Sequence, residues 1–182
     1  MVAVNSKPHL FWKIVWLETG GEFKFAPEKA WGKDFGKSGD ATEGVYDKGS
    51  ENIPSPATSG YYMVVVDLKE NKIAVADPTV YIIGETLDMG DNNWLTANPD
   101  ALLTVDNTNQ ILTITKTLAA KELRMYAWHP WFSEWWQSEF MVLNGKIEFR
   151  GTGGDQERVT PTAGSNKIDL NFKTGDGSIT VQ

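Results

Sequence analysis

Hydrophobic and polar positions alternate along most of this chain with the short period of β-strands. Residues 9–17 (His-Leu-Phe-Trp-Lys-Ile-Val-Trp-Leu) are rich in aromatic and β-branched side chains and predict a strand that Gly20-Gly21 ends. Glu22-Phe23-Lys24-Phe25 then puts both phenylalanines on one face and the charges on the other. Residues 26–60 hold many Gly, Ser and Asp, with Pro54 and Pro56, and predict loops with one short helical turn at most. Residues 61–68 and 72–76, joined at Lys69-Glu70-Asn71, predict a hairpin. Further strands are expected at 80–84, 101–105, 110–118, 121–127, 146–150, 166–173 and 178–181, with Gly175-Asp176-Gly177 as the last turn. Trp135-Trp136 with Phe140-Met141 reads as a short helix or a core-filling loop, and no stretch keeps a helical period long enough for an α-helix.

The pattern occurs twice. Gly21-Glu22-Phe23-Lys24-Phe25 with Trp31 beyond it matches Lys121-Glu122-Leu123-Arg124-Met125 with Trp131 beyond it. Residues 60–68 match 164–172 in apolar pattern, and 72–75 match 178–181. Three matches in one order argue for tandem modules. Asp77-Pro78 marks the boundary, because proline lacks the N–H of a central strand and restricts the residue before it. The expected fold is all-β: two tandem immunoglobulin-like antiparallel β-sandwich modules, residues 1–77 and 78–182. The first lacks a counterpart of the strand at 80–84, which would leave an open edge unless something covers it.

Charge and composition narrow the function. The 182 residues carry a formal net charge of -7, which disfavours nucleic acid and anionic membranes as partners. There is no cysteine, so disulfides, thiolate catalysis and Cys-ligated metals are excluded. Residues 1–7 are too short and polar for a signal peptide, and no apolar run approaches the roughly 18 residues of a membrane span. The residues alone leave open a cytoplasmic chain and one whose export segment is absent. The 8 Trp are more than an ordinary core of this size needs.

Trp128, Trp131, Trp135 and Trp136 crowd one segment. Flat indole rings beside Lys, Arg, Asn and Gln suit the apolar faces of sugar rings, whose hydroxyls take the surrounding hydrogen bonds. Filling the end of a sandwich is the competing role for any single ring. Arg124 alternates onto the face of Tyr126 and Trp128, as a polar clamp or as a solvated strand residue. In the first module a site would be weaker, or built from Trp12, Trp16 and Trp31. Glu134, Glu139, Asp155 and Glu157 show no spacing that fixes a hydrolytic pair. His9 and His129 sit in no nucleophile motif. The Asp88–Asn93 turn resembles a calcium loop without the EF-hand spacing. No cofactor and no metal site is expected.

The second half is similar to the carbohydrate-binding repeats of the SusE and SusF starch-binding outer-membrane lipoproteins of gut Bacteroidetes. The resemblance runs from Val80-Tyr81-Ile82-Ile83-Gly84-Glu85 through the loop to Trp94, Glu122-Leu123-Arg124, the Trp128 to Trp136 segment and Asn144-Gly145-Lys146-Ile147. The first half resembles the later part of such a repeat. The resemblance implies β-sandwich modules in a rod-like array, lipid-anchored through the full-length protein at the cell surface. They would hold an α-glucan without cutting it. It implies Trp128 and one of Trp131, Trp135 or Trp136 as the platform, with Arg124 and Lys146 as polar partners. A module that docks proteins of an outer-membrane glycan-uptake complex is the alternative.

Overall fold

A computed structural model describes residues 1–30 and 32–182. Trp31 lies outside the described residues. β2 (Lys7–Leu17) is the longest strand, and it pairs antiparallel with β1 (Val2–Val4) and β7 (Gly60–Asp67). With β8 (Lys72–Ala76), β5 (Val45–Gly49) and β4 (Gly36–Thr42) these strands form a six-stranded sheet in the order β1-β2-β7-β8-β5-β4. β3 (Glu22–Phe23) and β6 (Ile53–Pro54) make a separate two-stranded sheet, and Phe25 pairs with Phe35 beside it.

The second sheet contains β9 (Val80–Ile83), β10 (Thr104–Asp106), β11 (Ile111–Leu118), β12 (Arg124–Ala127), β13 (Glu139–Leu143), β14 (Lys146–Phe149), β15 (Gly164–Asn171) and β16 (Asp176–Val181). Their order is β10-β11-β15-β16-β14-β13-β12-β9. Its first six places repeat the first sheet strand for strand, with β10 standing for β1, β11 for β2 and so on to β13 for β4. β12 and β9 extend the second sheet; the first module's counterpart of β12 is β3 with Phe25, which meets Phe35 through an isolated bridge. The protein is therefore all-β, built of two tandem β-sandwich modules, and Asp77-Pro78 falls between β8 and β9. Short 3-10 turns are the helical elements among the described residues, and no helix there is long and apolar enough to cross a membrane.

Two elements differ from the sequence expectation. Residues 36–49 form a hairpin rather than loops. β4 is polar and mostly exposed and β5 carries only Val45 and Tyr46 as apolar residues, so the hairpin lacks the apolar alternation that reveals a strand. Glu43 and Gly44 both have positive φ (50° and 76°) between the paired Thr42 and Val45, as a two-residue hairpin turn requires. Phe140-Met141 belongs to β13, not to a helix or loop. Four of that strand's five residues are buried, and burial on both faces removes the alternation.

Each face of the first sheet is covered. Val64, Val66 and Ile73 pack with Ile53, Phe23, Phe25 and Phe35 as the first module's own core. The opposite face, Trp12, Ile14, Tyr61, Met63 and Val65, joins the large core of the second module. The Trp12 ring meets Phe149 edge-on at 5.5 Å, and Tyr61 lies 6.4 Å from Phe172. Polar contacts fix the register: the Tyr61 hydroxyl donates to the Gln110 carbonyl (2.8 Å), and Asn5 Nδ2 donates to the carbonyls of Gly151 and Gly153.

Candidate functional site

β12 is the backbone of the site. It lies between β9 and β13, so its alternate residues divide between two environments. Met125 and Ala127 face the core, while Arg124 and Tyr126 face outward with Tyr81 and Ile83 of β9. Tyr81 and Tyr126 stack at 5.5 Å, and Trp135 packs against Tyr126 at 6.2 Å. Trp94 comes from the loop after β9 and reaches Trp135, with centroids 5.7 Å apart and planes tilted by 38°.

Both loops that carry these rings are tied down. Gly84, at the end of β9, has φ 121°, and a Cβ there would meet the Glu122 carbonyl at 2.5 Å, so a side chain is excluded where the Trp94 loop departs. The Gly84 N–H donates to the Asn93 carbonyl, Asn93 Oδ1 accepts from the Met89 N–H (2.7 Å), and the Ala97 N–H donates to the Tyr126 hydroxyl (2.8 Å). Trp135 and Trp136 open a 3-10 turn closed by a reciprocal capping box between Glu134 and Gln137. Trp94 is 41% exposed, and Trp135 and Trp136 are half-buried, so ring surface remains open to solvent.

A charged cluster forms the other wall. Glu139 has no side-chain exposure and accepts from Arg124 Nη1 and from Arg150 Nη1, each at 2.7 Å. Arg124, 3% exposed, also donates from Nε to Glu122 (2.6 Å) and from Nη1 and Nη2 to Asp155 (3.1 and 3.3 Å). Arg150 lies over the Trp136 ring at 5.5 Å, and Arg158 reaches Glu122 at 3.2 Å. Burial by itself would lower the Arg124 pKa, but bonds to Glu122, Asp155 and Glu139 more than reverse this and hold the guanidinium charged. The same bond from Arg124 keeps the Asp155 carboxyl below its usual value. Asp155 is thus ionised at neutral pH and offers no proton to a leaving group.

The result is an open groove with indole rings on one side and paired guanidinium and carboxylate groups on the other. Such a surface can stack apolar CH faces and trade hydrogen bonds with hydroxyls. Among the described residues no group of three or more His, Asp or Glu side chains is gathered to hold a metal. Asp88, in the turn compared with a calcium loop, instead pairs with Lys121 at 3.2 Å.

The structure gathers Arg124, Trp135 and Trp136 in this groove and leaves Trp128, Trp131 and Lys146 outside it. β12 ends at Ala127, and the Phe132 N–H closes a turn on the His129 carbonyl that carries Trp128 and Trp131 to the junction with the first module. There Trp128, 39% exposed, lines a separate hollow with Glu43, Val75 and Asp77. Trp131 packs on the core and edge-on to His129. Lys146 is exposed on β14, paired with Asp176 of β16. Trp12, one of the rings considered for the first module, is wholly buried. Trp94, which enters the sequence reading only as a landmark of the resemblance, and Arg150 and Arg158 are not among the site residues expected from the sequence. The signal for Trp94 was its place just beyond β9, whose Tyr81 and Ile83 share the outward face of Arg124 and Tyr126.

Comparison with known proteins adds three findings. The sequence model of a family described as "SusF/SusE starch specific CBMs" matches residues 1–74 and 79–178. The outer membrane protein SusF of Bacteroides thetaiotaomicron is 30% identical over 190 residues, an alignment covering 98% of this chain and 38% of that protein. The crystal structure of SusF from the same organism superimposes with a TM-score of 0.81 at 30% identity, covering 99% of this chain and 42% of that one. The chain thus spans about two fifths of the length of the relative that it matches.

Proposed function

The chain belongs to the SusF/SusE family of starch-specific carbohydrate-binding modules, and from that premise we propose that it holds an α-glucan, without cutting it, in the groove of Trp94, Trp135 and Trp136. The carrying observation is the 38° tilt between the neighbouring Trp94 and Trp135 rings. Two rings inclined in this way suit successive residues of a curved chain such as an α-glucan and fit poorly against a flat ribbon. Arg150 and Arg158, at the groove's rim, supply donors to sugar hydroxyls. Arg124 acts mainly by fixing the carboxylates around it, because its own donors are largely committed to Glu122, Glu139 and Asp155.

The relative is named an outer membrane protein, which supports the reading that this chain works at the outer membrane, with its modules at the cell surface. We assign residues 1–77 and 78–182 to the two modules and the glucan site to the second. In the first, Lys24 stands where Arg124 stands, and it pairs with Asp34 at 3.1 Å.

Calorimetric titration with maltoheptaose and cellohexaose tests the reading. Maltoheptaose is expected to bind and cellohexaose not, and Trp135→Ala should weaken maltoheptaose by about 2 kcal/mol, roughly thirtyfold in Kd. Equal binding of both sugars, or a folded Trp135→Ala protein of unchanged affinity, would overturn it.

A further inference from the structure

One residue of the first module reaches the groove from behind. β1 and β2 are joined by the two-residue turn Asn5-Ser6 between the paired Val4 and Lys7, with Ser6 at φ 59°. Val4, at the end of β1, is wholly buried in the core that the two modules share, which sets the turn's place against the second module. Asn5 is 9% exposed, and its backbone N–H donates to the Gln137 carbonyl at 2.8 Å. Its side-chain Nδ2 donates to the carbonyls of Gly151 (2.8 Å) and Gly153 (2.9 Å), while its Oδ1 accepts from Ser6 Oγ at 3.0 Å.

These partners belong to both walls of the groove. Gln137 closes the 3-10 turn that carries Trp135 and Trp136, and its Oε1 accepts from the N–H groups of Ser133 and Glu134. Gly151 and Gly153 lie in the loop between Arg150, which covers the Trp136 ring, and Asp155, which pairs with Arg124. Within that loop the Gly153 N–H donates to the Arg150 carbonyl at 2.9 Å. Among the described residues, the carbonyls of Gly151 and Gly153 accept from no group other than Asn5. Without that donor both carbonyls would have to turn toward water, and a loop this rich in glycine yields easily.

We infer that the groove is a site of both modules, with Asn5 as the positioning residue that sets the spacing between its indole wall and its charged wall. The glucan reading above enters only in what that spacing serves. Bonds from one residue to both walls hold Arg150 and Asp155 in register with Trp135 and Trp136 before a sugar arrives, so little ordering is left to the binding step.

The test compares the native full chain with Asn5→Ala, which keeps the backbone bond to Gln137, first by ¹⁵N NMR without sugar. The amide signals of residues 151–155 and the Trp136 indole N–H should shift. The Trp94 indole, on a loop with no bond to Asn5, should stay in place. Calorimetric titration with maltoheptaose should then show about tenfold weaker binding. Asn5→Ser, which keeps one side-chain donor, should fall between, and it carries the comparison if the alanine variant does not fold. A double-mutant cycle separates positioning from a general loss of stability. With Arg150→Lys already present, Asn5→Ala should weaken binding no more than about twofold, because both changes act on one wall. Unmoved loop and Trp136 signals overturn the inference, as do unchanged affinity in a folded Asn5 variant and an equal loss in both backgrounds. Failure of the native chain to bind maltoheptaose would overturn the glucan reading instead, and the sugar-free spectra would still decide whether Asn5 holds the two walls.

Discussion

Glu139 holds two guanidinium groups from a position with no access to water. A carboxylate buried there is tolerable only because Arg124 and Arg150 each donate to it, and removing one partner of such a cluster costs about 3–5 kcal/mol. Glu139→Gln keeps the shape and deletes the charge, which leaves both guanidiniums undercompensated. It should lower the unfolding free energy by about 3 kcal/mol in urea. It should also weaken glucan binding, because Arg150 then no longer presses Trp136 into a fixed pose. Unchanged stability and affinity in this variant would show that the cluster is solvated rather than structural. The same reasoning separates Arg124 from the other arginines of the groove. Its alternation on β12 was legible in the sequence, but its role is set by three carboxylates, two of them far along the chain.

The connection between β12 and β13 is the element on which the site depends, and it contains a buried titrating group. His129 packs against Trp131 and Phe132, and burial pushes its pKa down from 6.5 to about 4. As the pH falls the unfolded chain takes up this proton first, so the native state keeps the full contribution above pH 6.5. It then loses stability between pH 6.5 and about 4. The loss should reach about 3 kcal/mol at the lower end. Urea midpoints at pH 7 and pH 5 should differ for the native chain and much less for His129→Asn; equal midpoints in the native chain would contradict the burial argument. At this scale the sequence was legible where a strand alternates, as β11 and β15 do, or where an apolar run is bounded by a turn, as β7 and β8 are, and the repeat fixes their order. The β4–β5 hairpin was hidden because β4 is polar throughout and β5 offers only Val45 and Tyr46 to the cores, and β13 because its short buried run follows the Trp-rich segment without a turn signal between them. The Trp-rich segment pointed to a candidate site, yet only contact across the fold could sort its rings. A strand end at Ala127 and a capped turn at Glu134 send Trp128 and Trp135 to different places. Trp94 enters from a distant loop that no local pattern links to Trp135.

Across the whole molecule, the two modules share a core. Trp12 lies among Phe140 and Phe149, and Tyr61 donates into the second module, so neither sheet can lose its structure without exposing apolar surface of the other. Calorimetric unfolding should therefore give one transition with equal van't Hoff and calorimetric enthalpies. Two resolved transitions would mean that the shared face contributes little. In the proposed function this rigidity would serve binding, because a preformed groove loses little entropy when a flexible sugar chain settles on it. The net charge of -7 leaves the interaction to stacking and hydrogen bonds rather than to long-range attraction.

The most direct test of the glucan groove is an NMR titration with maltoheptaose that follows the indole N–H signals of the tryptophans one by one. The signals of Trp94, Trp135 and Trp136 should move together along one binding curve, while those of Trp12 and Trp128 stay in place. Movement of Trp128 in place of Trp94 and Trp135 would put the glucan at the junction of the two modules and contradict the site described above.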